Sequence, residues 1–94
     1  MMDDIRRPVY GQYIEHDSIP GGKAWVGVGK GAEITLSCSE WFKRFRNRKA
    51  CWKWLFMSMP DALAYVYDEG VTLCAGSVRG NAEEAGIDVS PTLF

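Results

Sequence analysis

Apolar and polar positions alternate most regularly between residues 23 and 36. Lys23 to Val28 and Ala32 to Leu36 are β-prone runs flanking Gly29-Lys30-Gly31. In the second run Ile34 and Leu36 alternate with Glu33 and Thr35, as a strand with one buried face requires. This pattern predicts a hairpin with a glycine turn. Upstream, the run from Val9 to Ile14 reads as an edge strand behind Pro8. Asp17-Ser18-Ile19-Pro20-Gly21-Gly22 is dense in turn formers and reads as a loop.

Downstream the period changes. Ser37-Cys38-Ser39-Glu40 matches a capping box, and Cys38, Trp41, Phe42 and Phe45 then recur at i, i+3, i+4 and i+7. An amphipathic helix is expected from Cys38 to Arg48, burying Trp41 and Phe45, with its basic end at the C-terminus where the macrodipole favours cations. From Ala50 to Met59 the pattern forks. Trp52, Leu55, Phe56 and Met59 make a helical stripe, whereas Trp52, Trp54 and Phe56 alternate as a strand face opposite Cys51, Lys53, Leu55 and Met57. The weak helix propensity of Trp, Phe and Cys favours the strand.

Ser58-Met59-Pro60-Asp61 is a second helix-start signature and Gly70 a stop, so a helix is expected near Asp61 to Glu69. Its rival is a hairpin, Ala64 to Tyr67 turning at Asp68-Glu69-Gly70 into Val71 to Cys74. Val71 to Val78 is a strand under either reading. Asn81 to Ala85, stopped by Gly86, reads as a short helix, and Ile87, Val89, Leu93 and Phe94 as a docking tail. The expectation is one α+β domain over residues 1–94, with residues 1–7 loosely held. An antiparallel sheet of about four strands packs against one amphipathic helix plus one or two short helices.

Composition narrows the class. With 94 residues, 47% hydrophobic and 24% charged, the chain has the content of one ordinary globular domain. Its apolar runs, such as Trp54 to Met57, are far short of the roughly 20 residues a membrane helix needs, and the N-terminus lacks signal-peptide zones. Three widely spaced cysteines, Cys38, Cys51 and Cys74, disfavour a disulfide framework, so a reducing, cytoplasmic setting without membrane association is expected.

Motifs for chemistry are weak. Gly21-Gly22-Lys23-Ala24 and Gly27-Val28-Gly29-Lys30-Gly31 lack both the Ser or Thr of a phosphate loop and the GxGxxG spacing of a dinucleotide site. His16, between Glu15 and Asp17, is the single histidine, and adjacent residues rarely orient a general base. The cysteines stand too far apart for zinc and lack the setting of a nucleophile. Asp68-Glu69 and Glu83-Glu84 read as solvated helix positions. No catalytic residue, metal or cofactor is expected, and the chain reads as a non-enzymatic protein.

Charge changes the picture. Eleven Lys and Arg against twelve Asp and Glu give a net charge of -1. Yet Lys43, Arg44, Arg46, Arg48, Lys49 and Lys53 all fall between Trp41 and Trp54, leaving five basic and twelve acidic residues, or -7, elsewhere. Basic residues interleaved with aromatics suit an acidic partner protein, because Arg and Trp are enriched among interface hot spots. They equally suit nucleic acid, through phosphate neutralisation and base stacking. A third reading has the cations neutralised internally by residues 55–94, which carry six acids and one base, or -5. The acidic remainder would repel a duplex from most directions. The leading expectation is therefore a small binding or inhibitor-type protein, of the kind that phage and mobile elements often encode. It would dock an acidic protein surface through Lys43, Arg44, Arg46, Arg48, Lys49 and Lys53 with Trp52 or Trp54, with nucleic-acid binding by the same patch as the alternative.

Overall fold

The computed structural model describes residues 10–89. Within them six strands and two helices follow the order β1 (Tyr10–Glu15), β2 (Lys23–Val28), β3 (Ile34–Ser37), β4 (Phe42–Phe45), α1 (Arg48–Ser58), β5 (Leu63–Asp68), β6 (Val71–Ser77) and α2 (Val78–Glu84). A single 3-10 turn, Pro20–Gly22, links β1 to β2. All strand pairs are antiparallel and the sheet order is β4-β3-β2-β1-β5-β6. The α+β class and the antiparallel sheet stand; the sheet has six strands rather than about four.

Register sorts the side chains. Ile14 pairs with both Ala24 and Ala64, and Val26 pairs with Leu36, so these residues share one face. On that face Ile14, Ala24, Ile34, Leu36 and Ala64 form one core with Cys51, Trp52 and Leu55 of α1 and Val78 and Ala82 of α2. The opposite face carries Trp25, Tyr13 and Tyr65 as direct cross-strand partners. Tyr13 is sandwiched between the other two, its ring centroid 4.8 Å from Trp25 and 5.1 Å from Tyr65, and is 5% exposed although it lies outside the main core. This face is closed by aromatic rings packed on one another.

Three expected elements change type. The residues expected to form a helix over 38–48 instead form a turn and β4. Ser37 is the last residue of β3, paired with Trp25 on one side and Phe42 on the other. Cys38 N–H donates to Trp41 O at 2.9 Å, so the residues of the apparent capping box close a hairpin. Non-local pairing with β3 and the packing of Trp41 and Phe45 on Trp54 outweigh a local cap. Trp41 and Phe45 are consequently half-buried.

The segment 50–59, favoured as a strand, is the body of α1. Asn47 caps it by accepting from Ala50 N–H at 2.8 Å. Cys51, Trp52, Leu55 and Met59 are buried at helical spacing, and this packing overrides the poor propensity of Trp, Phe and Cys. The segment 61–69 is β5, and the rival hairpin is the one that forms. Its two-residue turn places Glu69 at φ 47 and Gly70 at φ 89, the positive pair that a type I′ turn requires.

β1 is interior rather than an edge strand, lying between β2 and β5. α2 starts earlier than expected, at Val78, with the Ser77 hydroxyl accepting from Gly80 N–H at 3.0 Å. Asp68 and Glu69 border a hairpin turn rather than lying on a helix. Ile87 and Val89 dock on the body as expected, and Arg79 fastens this segment by donating to Val89 O at 2.6 Å. Residues 1–7, Leu93 and Phe94 lie outside the described residues. No helix among the described residues is long and apolar enough to cross a membrane.

The helical register of α1 makes a prediction that the strand reading does not. Leu55 is fully buried and Met57 is 72% exposed, whereas a strand would place both on one face. Denaturant unfolding should show Leu55→Ala costing ~2 to 5 kcal/mol and Met57→Ala within ~0.5 kcal/mol of the parent. Equal losses would contradict the helix.

Candidate docking site

The basic segment is divided by the boundary between β4 and α1. β4 alternates, so Phe42 and Arg44 lie on the aromatic face while Lys43 and Phe45 lie on the helix side. Each cation leans on a ring: Arg44 on Phe42 at 5.8 Å, and Lys43 on both Trp41 and Trp54 at 5.1 and 5.2 Å. Arg46 and Asn47 make the turn into α1. Burial of Cys51, Trp52 and Leu55 against the sheet then leaves Arg48, Lys49 and Lys53 exposed.

Trp54 lies at the centre of this corner, its ring 5.8 Å from Phe45 and 6.2 Å from Trp41. Beside it runs a groove of about 630 Å³ between β4 and α1. Phe45, Ala50, Trp54 and Met57 supply its apolar lining and Arg46, Lys49 and Lys53 its charge. Among the described residues, no carboxylate lies within 4 Å of any of the six cations; the close contact found between a basic side chain and a carboxylate is His16 with Asp61. The acidic Asp68-Glu69 turn lies four strand spacings from β4, about 19 Å at the usual separation. Glu33, close in sequence, has its carboxylate engaged by Gly31 N–H at 3.0 Å.

The expected site residues thus separate. Arg46, Lys49, Lys53 and Trp54 share the groove, with Lys43 against the same tryptophan. Arg44 is on the other sheet face. Arg48 stacks on Trp52 at 5.4 Å, and Trp52 itself is in the core, 4% exposed.

A second cluster was illegible in the sequence because its members are 45 positions apart. His16 Nε2 lies 2.8 Å from Asp61 Oδ1, while Nδ1 accepts from Ser18 N–H at 3.0 Å and lies 2.7 Å from Ser18 Oγ. The Nδ1 acceptor role leaves the proton on Nε2, so the ring donates to Asp61. His16 is half-buried and tied down rather than a solvated loop charge. A serine, a histidine and a carboxylate in sequence resemble a hydrolase relay, but Ser18 is not among the residues lining the adjacent cavity of about 340 Å³, and Asp61 is 82% exposed. What the arrangement does is clasp the β1–β2 loop to the start of β5.

The cysteines have separate surroundings. Cys51 is buried, and desolvation pushes its thiol up to about 12 against a smaller opposing pull from Arg48, so it stays protonated and unreactive. Cys38 is half-buried, Cys74 is exposed, and all three are free. No cluster of three His, Cys, Asp or Glu suited to a metal occurs among the described residues. On the aromatic face, hydrogen bonding to Glu15 is the main cause of a raised Tyr65 phenol pKa. Comparison with known protein families, curated proteins and solved structures finds no match to this chain.

The clasp has a pH signature. The His16 hydrogen bond is the main cause that holds the Asp61 carboxyl below its ordinary value. A depressed folded-state pKa contributes stability that is present above the unfolded value of about 4 and is lost as pH falls through the folded value. The Tm of Asp61→Asn should therefore lie below that of the parent at pH 6 and converge with it toward pH 2. A gap independent of pH would show that ionisation of Asp61 contributes nothing.

Proposed function

We propose that this chain is a small non-enzymatic binding protein that docks an acidic surface of a partner protein through the β4–α1 corner. The observation that carries this reading is the groove itself, where Arg46, Lys49 and Lys53 surround an apolar lining and no carboxylate of a described residue lies within 4 Å. Unpaired cations beside an exposed apolar surface complement a patch of carboxylates around an apolar anchor. Three free cysteines fit a reducing compartment, and cytoplasmic action is part of the proposal.

Nucleic acid is the weaker reading because the six cations do not form one surface. With Arg44 across the sheet, Arg48 stacked on Trp52 and Lys43 held over Trp41 and Trp54, a duplex at the groove reaches about three of them, Arg46, Lys49 and Lys53. Binding would then fall with salt at a logarithmic slope near -3, rather than about -5 for all six.

The test compares the parent with the triple variant Arg46→Glu, Lys49→Glu, Lys53→Glu in quantitative affinity capture, with melting curves to verify folding. Capture of acidic proteins should drop on the order of tenfold or more. A folded variant that keeps every partner overturns the proposal. Duplex and single-stranded oligonucleotides are titrated at two salt concentrations alongside, and tight binding with a slope near -3 would transfer the groove to the nucleic-acid reading.

A further inference from the structure

β4 is both the wall of the groove and an edge of the sheet. Two turn bonds fix which of its main-chain groups are used. Gly29 N–H donates to Glu33 O at 2.8 Å, next to the Val28–Ile34 pair, and Cys38 N–H donates to Trp41 O at 2.9 Å, next to the Ser37–Phe42 pair. Bonded and non-bonded pairs alternate along an antiparallel ladder. From either turn the same phase results: Leu36 with Lys43 and Ile34 with Phe45 are the bonded pairs. Phe42 and Arg44 therefore direct two N–H and two C=O groups away from β3, and no described residue pairs with them.

The other edge, β6, is different. It has a register break opposite Ala64 and Tyr65, with Gly76 at φ 131, and none of its residues is charged. Bulges of this kind turn an edge away from further pairing. β4 has no such break in its register.

We propose that the acidic partner binds by strand addition: an extended segment pairs with β4 and carries the core apolar-acid-acid-apolar. This rests on the docking reading above and specifies its mode. Outward main-chain groups bind a strand whatever its sequence, while alternate side chains give specificity. Opposite Phe42 an apolar side chain meets a ring that is 59% exposed, and opposite Arg44 a carboxylate meets the guanidinium. On the helix side a carboxylate meets Lys43, and an apolar side chain beside Phe45 enters the groove against Trp54. Phe42-Lys43-Arg44-Phe45 has the same apolar-cation-cation-apolar order in both directions, so the motif holds for a parallel or an antiparallel partner.

The experiment measures fluorescence anisotropy of labelled eight-residue peptides with the parent protein. One peptide has the core Val-Glu-Glu-Val and the other Glu-Val-Val-Glu, equal in charge and composition. The first should bind at least tenfold more tightly. Successive strand residues direct their amides to opposite sides, so N-methylation of one glutamate amide should abolish binding and of the other should spare it. Equal affinity for the two cores, insensitivity to both methyl groups, or no binding of either peptide overturns strand addition. If acidic partners are still captured, and lost on reversal of Arg46, Lys49 and Lys53, docking survives that result by another mode. Loss of both effects removes both proposals.

Discussion

One stripe of α1, formed by Cys51, Trp52 and Leu55, is buried against the face of the sheet built from Ile14, Ala24 and Leu36. A helix can give a sheet only one stripe, so this burial decides where every other side chain of α1 must go. Lys49 and Lys53 are turned to the flank beside β4, and Trp54 is pressed under Lys43 against Phe45 and Trp41. The cap at Asn47 fixes where the strand gives way to the helix, and so how many cations stay on β4 and how many pass to α1. The uncovered face of the sheet is closed differently, by Tyr13 between Trp25 and Tyr65.

The net charge of -1 conceals this arrangement. In the fold the cations gather at the β4 end of the sheet, whereas the acidic β5–β6 turn is separated from β4 by three strands. The one base of residues 55–94, Arg79, is used in fastening the segment after α2. Among the described residues, no ion pair within 4 Å joins the basic cluster to the acidic C-terminal portion. At this corner, cations without an ion pair among the described residues, an apolar groove and main-chain groups that no described residue pairs with lie together.

The parts of the fold legible in the sequence were those governed by local chemistry. Gly29-Lys30-Gly31 and the alternation about Ile34 and Leu36 marked β2 and β3, and Gly70 after Asp68-Glu69 allowed the β5–β6 hairpin as a rival. What misled were signals satisfied by two structures at once. Ser37-Cys38-Ser39-Glu40 can cap a helix or turn a hairpin, and Cys38, Trp41, Phe42 and Phe45 fit a helical stripe or a strand whose aromatics lie on both faces. Pairing with β3, a non-local interaction, decided between them. The six cations were identifiable from composition, but their division between two faces depends on the position of Asn47. The His16–Asp61 clasp joins residues that no local pattern links.

Residues 42–45 form an edge strand whose outward side no described residue covers. Residue-resolved amide exchange on the free protein tests this most directly. Lys43 and Phe45, bonded to β3, should exchange on the order of tenfold or more slowly than Phe42 and Arg44, whose amides face outward. Uniform protection across the four residues, as in a helix or a covered strand, would contradict the account.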